Sequence, residues 1–291
     1  MDKFFVIFNP AACGEKSRRW LRFLTTKNDS LFTLAQTQQA GDAKHLAAKA
    51  VADGYKTIVV AGGDGTINET VNGIGPSGVA LGMLPLGTAN VFARALGIPL
   101  DFAGAWAVIE RGRMRAIDLP LARFGDTERY FVQLAGVGFD AVVVRAASWK
   151  LKKKIGPLNY VWAGLKAISS KPVSVEVSTN GSSSHGCGVA VIIGNGRFYG
   201  GPFTLFPKAR LDDGLLDVCV FEKCGFFDVL RYGQAILHGT HTRLRGVQYF
   251  QTDQLVCRAA SAVPFEVDGE DAGDTPVTFS VMPRALRVIV P

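Results

Sequence analysis

The chain has 291 residues, more than one average domain, so two domains are the first expectation. Apolar residues make up 48% and charged residues 20%, which excludes a disordered chain. The net charge of +7 and pI of about 9.2 suit an anionic partner: nucleotide, nucleic acid or acidic membrane surface.

The five cysteines form no Cys-x-x-Cys pair and are odd in number, so they read as reduced thiols of a cytosolic protein. After Met1-Asp2-Lys3 come only five apolar residues before Asn9-Pro10, which fits a first strand better than a secretory signal. No stretch approaches the ~20 apolar residues of a membrane span.

In chain order, Phe4 to Phe8 reads as a strand ended by a loop from Asn9 to Gly14. Ser17 to Leu24 is a helix and Leu31 to Ala35 a short strand. Gly41-Asp42 opens a helix that Gly54 ends. Thr57 to Ala61 is β-branched and apolar, as a buried strand should be, and Ile67, Val71 and Ile74 repeat at helical spacing. Between them lie Gly62, Gly63, Asp64 and Gly65.

Thr66 and Glu69 have capping-box spacing, which places the helix start at Thr66. Unpaired amides at a helix start, with glycines that allow close approach and positive φ, suit a phosphate. Asp64 would repel that phosphate unless a Mg²⁺ ion lies between them.

Val79 to Leu84 is a fourth strand, followed by a glycine turn, Pro85 to Asn90, and a helix ending near Gly97. Thr88 or Asn90 either caps that helix or holds a phosphate. Asp101 to Arg111 is a further helix. Strand and helix alternate throughout this part, so the sheet is parallel with helices on both faces. The loops at Asn9, Thr37, Gly62 and Gly87 all follow strands and should share one crevice.

From about Arg113 strand-like runs dominate: Arg115 to Arg123, Tyr130 to Leu134, Val173 to Thr179, Val189 to Gly194, Leu215 to Phe221, Val247 to Thr252, Leu255 to Ala259 and Val277 to Met282. Asn180-Gly181 is a hairpin signal. Helices are expected at Leu158 to Ile168 and Phe226 to His238, and Phe139 to Lys150 is ambiguous, since Val142 to Val144 favours strand while its Ala and Lys content tips it to helix. This half reads as an antiparallel, mostly β domain, with Leu286 to Val290 a last strand that returns to the first domain.

Phe265 to Asp271 holds four acids around a turn. It is either a solvated hairpin or the source of a carboxylate that accepts a hydroxyl proton. Arg210 to Leu215 is either a bare turn or a hard-cation site. Trp149 beside Lys150-Leu151-Lys152-Lys153-Lys154 is a solvated face or a peripheral membrane contact. The histidines share no zinc-ligand spacing.

These motifs together resemble the diacylglycerol kinase catalytic-domain family, which includes bacterial soluble lipid kinases, sphingosine kinases and ceramide kinases. The resemblance rests on Asn9-Pro10, Thr37 with Gly41-Asp42-Ala43, Gly62 to Thr66 with Asn68-Glu69, and Leu86 to Asn90. It continues at Ala135 to Asp140, Asn195-Gly196, Gly200-Gly201, Asp212 to Asp217 and Asp268-Gly269-Glu270.

The implied fold is an α/β N-terminal domain with a parallel sheet, similar to phosphofructokinase and NAD kinase, over residues 1–115. A mostly antiparallel β-sandwich over 116–283 would bind lipid, with 284–291 returning. The implied reaction is phosphorylation of a lipid hydroxyl, diacylglycerol first, using ATP and Mg²⁺. Asn9, Thr37, Gly62, Gly63, Asp64, Gly65, Thr66, Ile67, Asn68 and Thr88 would hold ATP.

Asp64 would lie in an acidic, water-bridged Mg²⁺ network with Asp118, and Arg210, Asp213 and Leu215 would hold a second, structural cation, the first and last through backbone carbonyls. Glu270 falls where the proton acceptor is assigned, with Asp268 its rival, and Asp271 to Asp274 adds acid near the site. Many members carry an aspartate where this chain has Val91. A lipid substrate and a peripheral contact at the inner membrane face are the implied partners. A homodimer is compatible, and no nucleic acid is expected. The rivals are a kinase of a soluble acceptor such as NAD and a weakly active nucleotide-binding regulator.

Overall fold

The computed structural model describes residues 3–12, 14–26, 31–146, 173–179 and 182–291, with no side chains for 182–185. Cys13, the Trp149 and lysine run, the Asn180-Gly181 turn and the helix expected at 158–168 lie outside the described residues.

Four parallel strands form the first half of the main sheet, in the order β2 (Phe32–Gln36), β1 (Phe4–Phe8), β3 (Thr57–Gly62), β4 (Ala80–Pro85). Ile58, Val59, Val60 and Ala61 are fully buried, as the β-branched run requires. Helices α1 (Gly14–Thr26), α2 (Asp42–Ala52), α3 (Asp64–Ile74), α4 (Val91–Ala95) and α5 (Phe102–Arg111) follow these strands. They bury Trp20, Leu24, Ala43, Ala47, Ile67, Val71, Phe92 and Trp106 in one core with the sheet.

The sheet does not stop at residue 115. Strand β5 (Met114–Phe124) pairs with β18 (Val277–Ile289) and with β6 (Thr127–Tyr130), and β18 pairs in turn with β4 through Arg287 and Val288. Adding β15 (Gln254–Ala259), β8 (Val175–Thr179) and β9 (Ser182–Gly188) makes ten strands, parallel on one side and antiparallel on the other.

The second sheet is antiparallel: β14 (Val247–Thr252), β13 (Leu216–Phe221), β10 (Ala190–Gly194), β7 (Leu134–Gly138), β16 (Pro264–Val267), β17 (Glu270–Asp274). It packs on β5, β8, β15 and β18 around Phe131, Val137, Val191, Val218, Leu255, Phe265 and Phe279. That is the β-sandwich. A short pair, β11 (Phe198–Tyr199) with β12 (Phe203–Thr204), and helices α6 (Phe139–Ala146) and α7 (Phe226–Leu237) complete it. No helix among the described residues is long and apolar enough to cross a membrane.

Four local expectations are corrected. Helix α3 starts at Asp64, not Thr66, and the capping box does not form. Thr66 Oγ1 instead accepts from Asn9 Nδ2 (2.9 Å), and Glu69 Oε2 accepts from the Ala43 amide at the start of α2 (3.1 Å). The expected strand Tyr130 to Leu134 is broken between β6 and β7, because the amides of Val132, Gln133 and Leu134 donate to Asp268 rather than to a neighbouring strand. The two last strands are one, β18, with a register shift between Met282 and Leu286. The acidic hairpin is not solvated throughout: Glu266 is fully buried.

Candidate active site

The carboxyl ends of β1, β2, β3 and β4 share one edge of the sheet. Asn9 follows β1 and donates its amide to Ala61 O of β3 (2.9 Å), and the Thr37 amide, after β2, donates to Phe8 O (2.9 Å). The turns after β3 and β4 lie back to back. A side chain at Gly87 would begin 2.7 Å from Gly63 Cα, so both positions must be glycine for the backbones to approach this closely. None of Gly62, Gly63 and Gly65 has positive φ, which corrects that reason for their presence. Gly63 caps α3 without a side-chain bond, so its first-turn amides are open toward the edge.

Asp64, first residue of α3, accepts from the Phe92 amide of α4 (3.2 Å). Burial raises its carboxyl above the usual range, against the pull of the α4 amides. Among the described residues no lysine, arginine or histidine pairs with it. Thr37 is buried and Thr88 exposed. Ile67 is buried in the first core, so only its backbone is available to a nucleotide. The Asn68 carboxamide is committed to the sandwich side: it donates to Tyr130 O (3.1 Å) and Asp268 Oδ2 (2.7 Å).

The Asp268-Gly269-Glu270 turn meets these loops from the sandwich. Asp268 accepts four bonds, from the Val132 amide and Asn68 on Oδ2 and from the Gln133 and Leu134 amides on Oδ1. Glu270 is more open. Its Oε2 is paired with Arg129, which also reaches Asn68 Oδ1 (3.4 Å), and its Oε1 lies 3.4 Å from where a Gly65 side chain would begin. Asp271 and Asp274 turn outward onto Arg145 of α6 (2.8 and 2.9 Å), which corrects their expected contribution of acid to the site.

The Asp118 carboxylate accepts from the Gly214 amide of the Arg210 to Leu215 turn and from the Arg284 amide of β18 (both 2.7 Å). In that turn Asp213 accepts from the Leu215 amide (3.1 Å), while burial and the charge of Asp118 raise the Asp213 carboxyl. Arg210 is exposed, 3.7 Å from Asp212. Among the described residues no three His, Cys, Asp or Glu side chains converge as a metal group.

A cavity of about 820 Å³ opens between the two halves, within the size range of a small-molecule site. Asp64, Ala89 and Val91 line it from the nucleotide side, and Val132, Leu134, Phe139, Val143, Tyr199, Phe203, Phe226 and Leu230 from the sandwich. Its polar wall is Asp140, Glu266, Asp268 and Gln133.

Asp140 and Glu266 face each other over Gly136 of β7, where any larger residue would collide with both. Two carboxyls buried this close together cannot both ionise without strong repulsion, so one keeps its proton. Burial, then the charge of Asp140, raises Glu266 well above its ordinary 4.5, so Glu266 holds that proton. The Tyr199 hydroxyl donates to Asp140.

Sequence reasoning assigned no role to Arg129, Asn72, Gln133, Asp140, Tyr199 or Glu266. Asn72 donates to Tyr130 O and accepts from its amide (both 2.9 Å). Lys16 was also missed: its Nζ donates to Pro85 O (3.3 Å) and Leu100 O (3.1 Å), behind the Gly87 turn. Asp140 lies in a motif quoted from sequence. Most of the others depend on distant partners, up to 141 residues away for Arg129, and leave no local signal.

Residues 3–122 match the model of the diacylglycerol kinase catalytic domain, and residues 133–290 match the YegS C-terminal NAD kinase beta sandwich-like domain. Diacylglycerol kinase of Bacillus subtilis (strain 168) is 30% identical over 298 residues, covering 100% of this chain and 97% of its own. That of Staphylococcus aureus (strain MRSA252) is 31% identical over 292 residues, covering 98% and 91%. A crystal structure of a diacylglycerol kinase from Bacillus anthracis str. Sterne superposes with a TM-score of 0.80 at 23% identity, covering 99% of this chain and 97% of that one. The chain belongs to the diacylglycerol kinase catalytic-domain family.

Proposed function

We propose that the protein is a lipid kinase that moves the γ-phosphate of ATP onto a lipid hydroxyl, with diacylglycerol as the first acceptor. The observation that carries this is Asp64: it belongs to the glycine turn and at the same time lines an apolar cavity. Phosphate and acceptor can therefore meet there, and phosphoryl transfer is mainly positioning plus charge neutralisation. The apolar wall favours a lipid over a soluble acceptor such as NAD.

Bound Mg²⁺ would supply the charge that lets a triphosphate lie beside a carboxylate. The donor set fits: Asp64 is a half-buried carboxylate without a cation partner among the described residues. The open amides of Asp64, Gly65 and Thr66 would cradle phosphate oxygens, and Asn9 would fix the turn through Thr66. Thr37, Thr88 and the backbone of Ile67 would complete the nucleotide site.

Glu270 takes the hydroxyl proton, because Arg129 orients it and its second oxygen faces Gly65. Asp268 positions it: four N–H donors occupy its oxygens. The Arg210 and Leu215 carbonyls with Asp213 would hold a structural cation, with Asp118 beside them. The division at 115/116, with 284–291 returning, remains part of this reading, supported by the pairing of Arg287 and Val288 with β4. A peripheral membrane contact is supported by Phe226, Phe227 and Leu230, exposed on α7 at the cavity mouth.

Two variants test the assignment in diacylglycerol micelles with MgATP. Asp64→Ala should abolish turnover. Glu270→Gln should keep ATP affinity while kcat falls about 10²- to 10⁴-fold, the usual worth of a general base. Wild-type turnover in Asp64→Ala would refute the proposal.

A further inference from the structure

Glu270 stands at the start of β17, the end strand of the second sheet among the described residues. β17 pairs with β16 alone, and that ladder carries a bulge: Glu266 stands opposite Asp271 and Phe265 opposite Gly273, which leaves Ala272 over. A bulged end strand is fixed weakly by its own sheet, because one side has no ladder and the other is interrupted. A proton acceptor on such a strand needs support from elsewhere, since a misplacement of about 1 Å can cost about 10²-fold in rate.

Arg145 of α6 supplies that support. Its Nε and Nη2 fork onto Asp271 Oδ2 and Oδ1 (both 2.8 Å). Nη1 donates to Asp274 Oδ1 (2.9 Å), and Nη2 also to Gly273 O (2.8 Å). One planar guanidinium thus grips β17 on both sides of Ala272, which a flexible ammonium could not do. Neighbouring residues of a strand point to opposite faces. Asp271 is held on the α6 face, so Glu270 is turned to the other, where Arg129 and Gly65 lie. α6 also lines the cavity with Phe139, Val143 and Val144, so Arg145 ties the cavity wall to the strand that carries Glu270.

We propose that Arg145 is a positioning residue: its fork to Asp271 sets β17 so that the Glu270 carboxylate stays at the Gly65 turn. This rests on the reading of Glu270 as the base and adds what holds it there. Arg145, Asp271 and Asp274 are 38%, 42% and 44% exposed, and exposed ion pairs contribute little to stability alone.

The test is a double-mutant cycle in diacylglycerol micelles with Mg²⁺ and labelled ATP, which keeps the residual rate of Glu270→Gln measurable. Arg145→Met alone should lower kcat about 10- to 100-fold, with KM for ATP within about twofold and Tm lower by no more than about 5 °C. Added to Glu270→Gln, it should lower kcat by less than about twofold, because the group it positions is already gone. Arg145→Lys keeps the charge, loses the fork and should behave like Arg145→Met. Asp271→Asn breaks the fork from the other side and repeats the test if Arg145→Met does not fold.

Equal losses in the two backgrounds would show a role in packing alone and overturn the proposal. Wild-type kcat in Arg145→Met, or the failure of both Arg145→Met and Asp271→Asn to fold, would overturn it as well. Wild-type kcat in Glu270→Gln would instead overturn the reading of the base, and this inference with it.

Discussion

Changing Asp268 to asparagine should damage stability before it damages chemistry. The carboxylate accepts at 2.7, 2.8, 2.9 and 3.1 Å from Asn68 and the amides of Val132, Gln133 and Leu134. Asparagine replaces one oxygen with a donor, which must face two of these N–H groups. In the cheaper orientation the new NH₂ takes the Oδ2 place. Asn68 then keeps Tyr130 O, but the Val132 amide is left buried without a partner. Bonds to a charged group are worth about 1.5–3 kcal/mol and a buried orphan costs about 1–3, so the loss is roughly 3–5 kcal/mol. At about 2–4 °C per kcal/mol for a chain of this size, Tm should fall by about 10 °C.

Glu270→Gln is the control. Its side chain is 46% exposed and glutamine can still accept from Arg129, so Tm should move by no more than about 2 °C. Thermal unfolding by circular dichroism, with kcat measured well below both transitions, separates the two roles. If Asp268→Asn melts with the wild type yet loses kcat about 10³-fold, its lone pairs are free for substrate and the assignment of the base is reversed.

Two other perturbations follow from the same geometry. Glu266 keeps its proton in the folded protein at pH values where the unfolded chain has lost it. Stability should therefore fall as pH rises from about 4.5 toward the raised folded value, with Asp140 and Asp268 the charges that face it. Glu266→Gln can still donate to Asp140 and has no proton to lose, so its Tm should be flatter across that window; an unchanged slope would remove the shared proton. Phe227 is 82% exposed on α7. Phe227→Glu should weaken sedimentation with anionic vesicles several-fold at unchanged Tm, and undiminished binding would move any membrane contact off this helix.

Much of the nucleotide side was legible because its signals are local. A buried β-branched run, a glycine turn and a helical repeat are each set by neighbours in sequence, so the four parallel strands fall where their periodicity puts them. The capping box at Thr66 and Glu69 is also a local signal, but it lost to tertiary partners at Asn9 and Ala43. Pro283 marks a break, yet the shift between Met282 and Leu286 absorbs it and the strand continues.

The sandwich side was less legible, since its side chains meet across long separations. Nothing near Asp118 tells that its oxygens will bind Gly214 and Arg284. Nothing near Glu266 tells that Gly136 leaves room for a second acid. Val91 adds to the apolar wall beside Asp64.

The central claim, that this cleft joins a triphosphate to a greasy alcohol, is tested most directly by following the label. Purified protein is incubated with [γ-³²P]ATP, Mg²⁺ and a mixture of diacylglycerol and NAD in mixed micelles, and the products are separated. The account predicts radioactive phosphatidic acid that disappears when the cation is chelated. Label on NAD, or none on any lipid while ATP is bound, would contradict it.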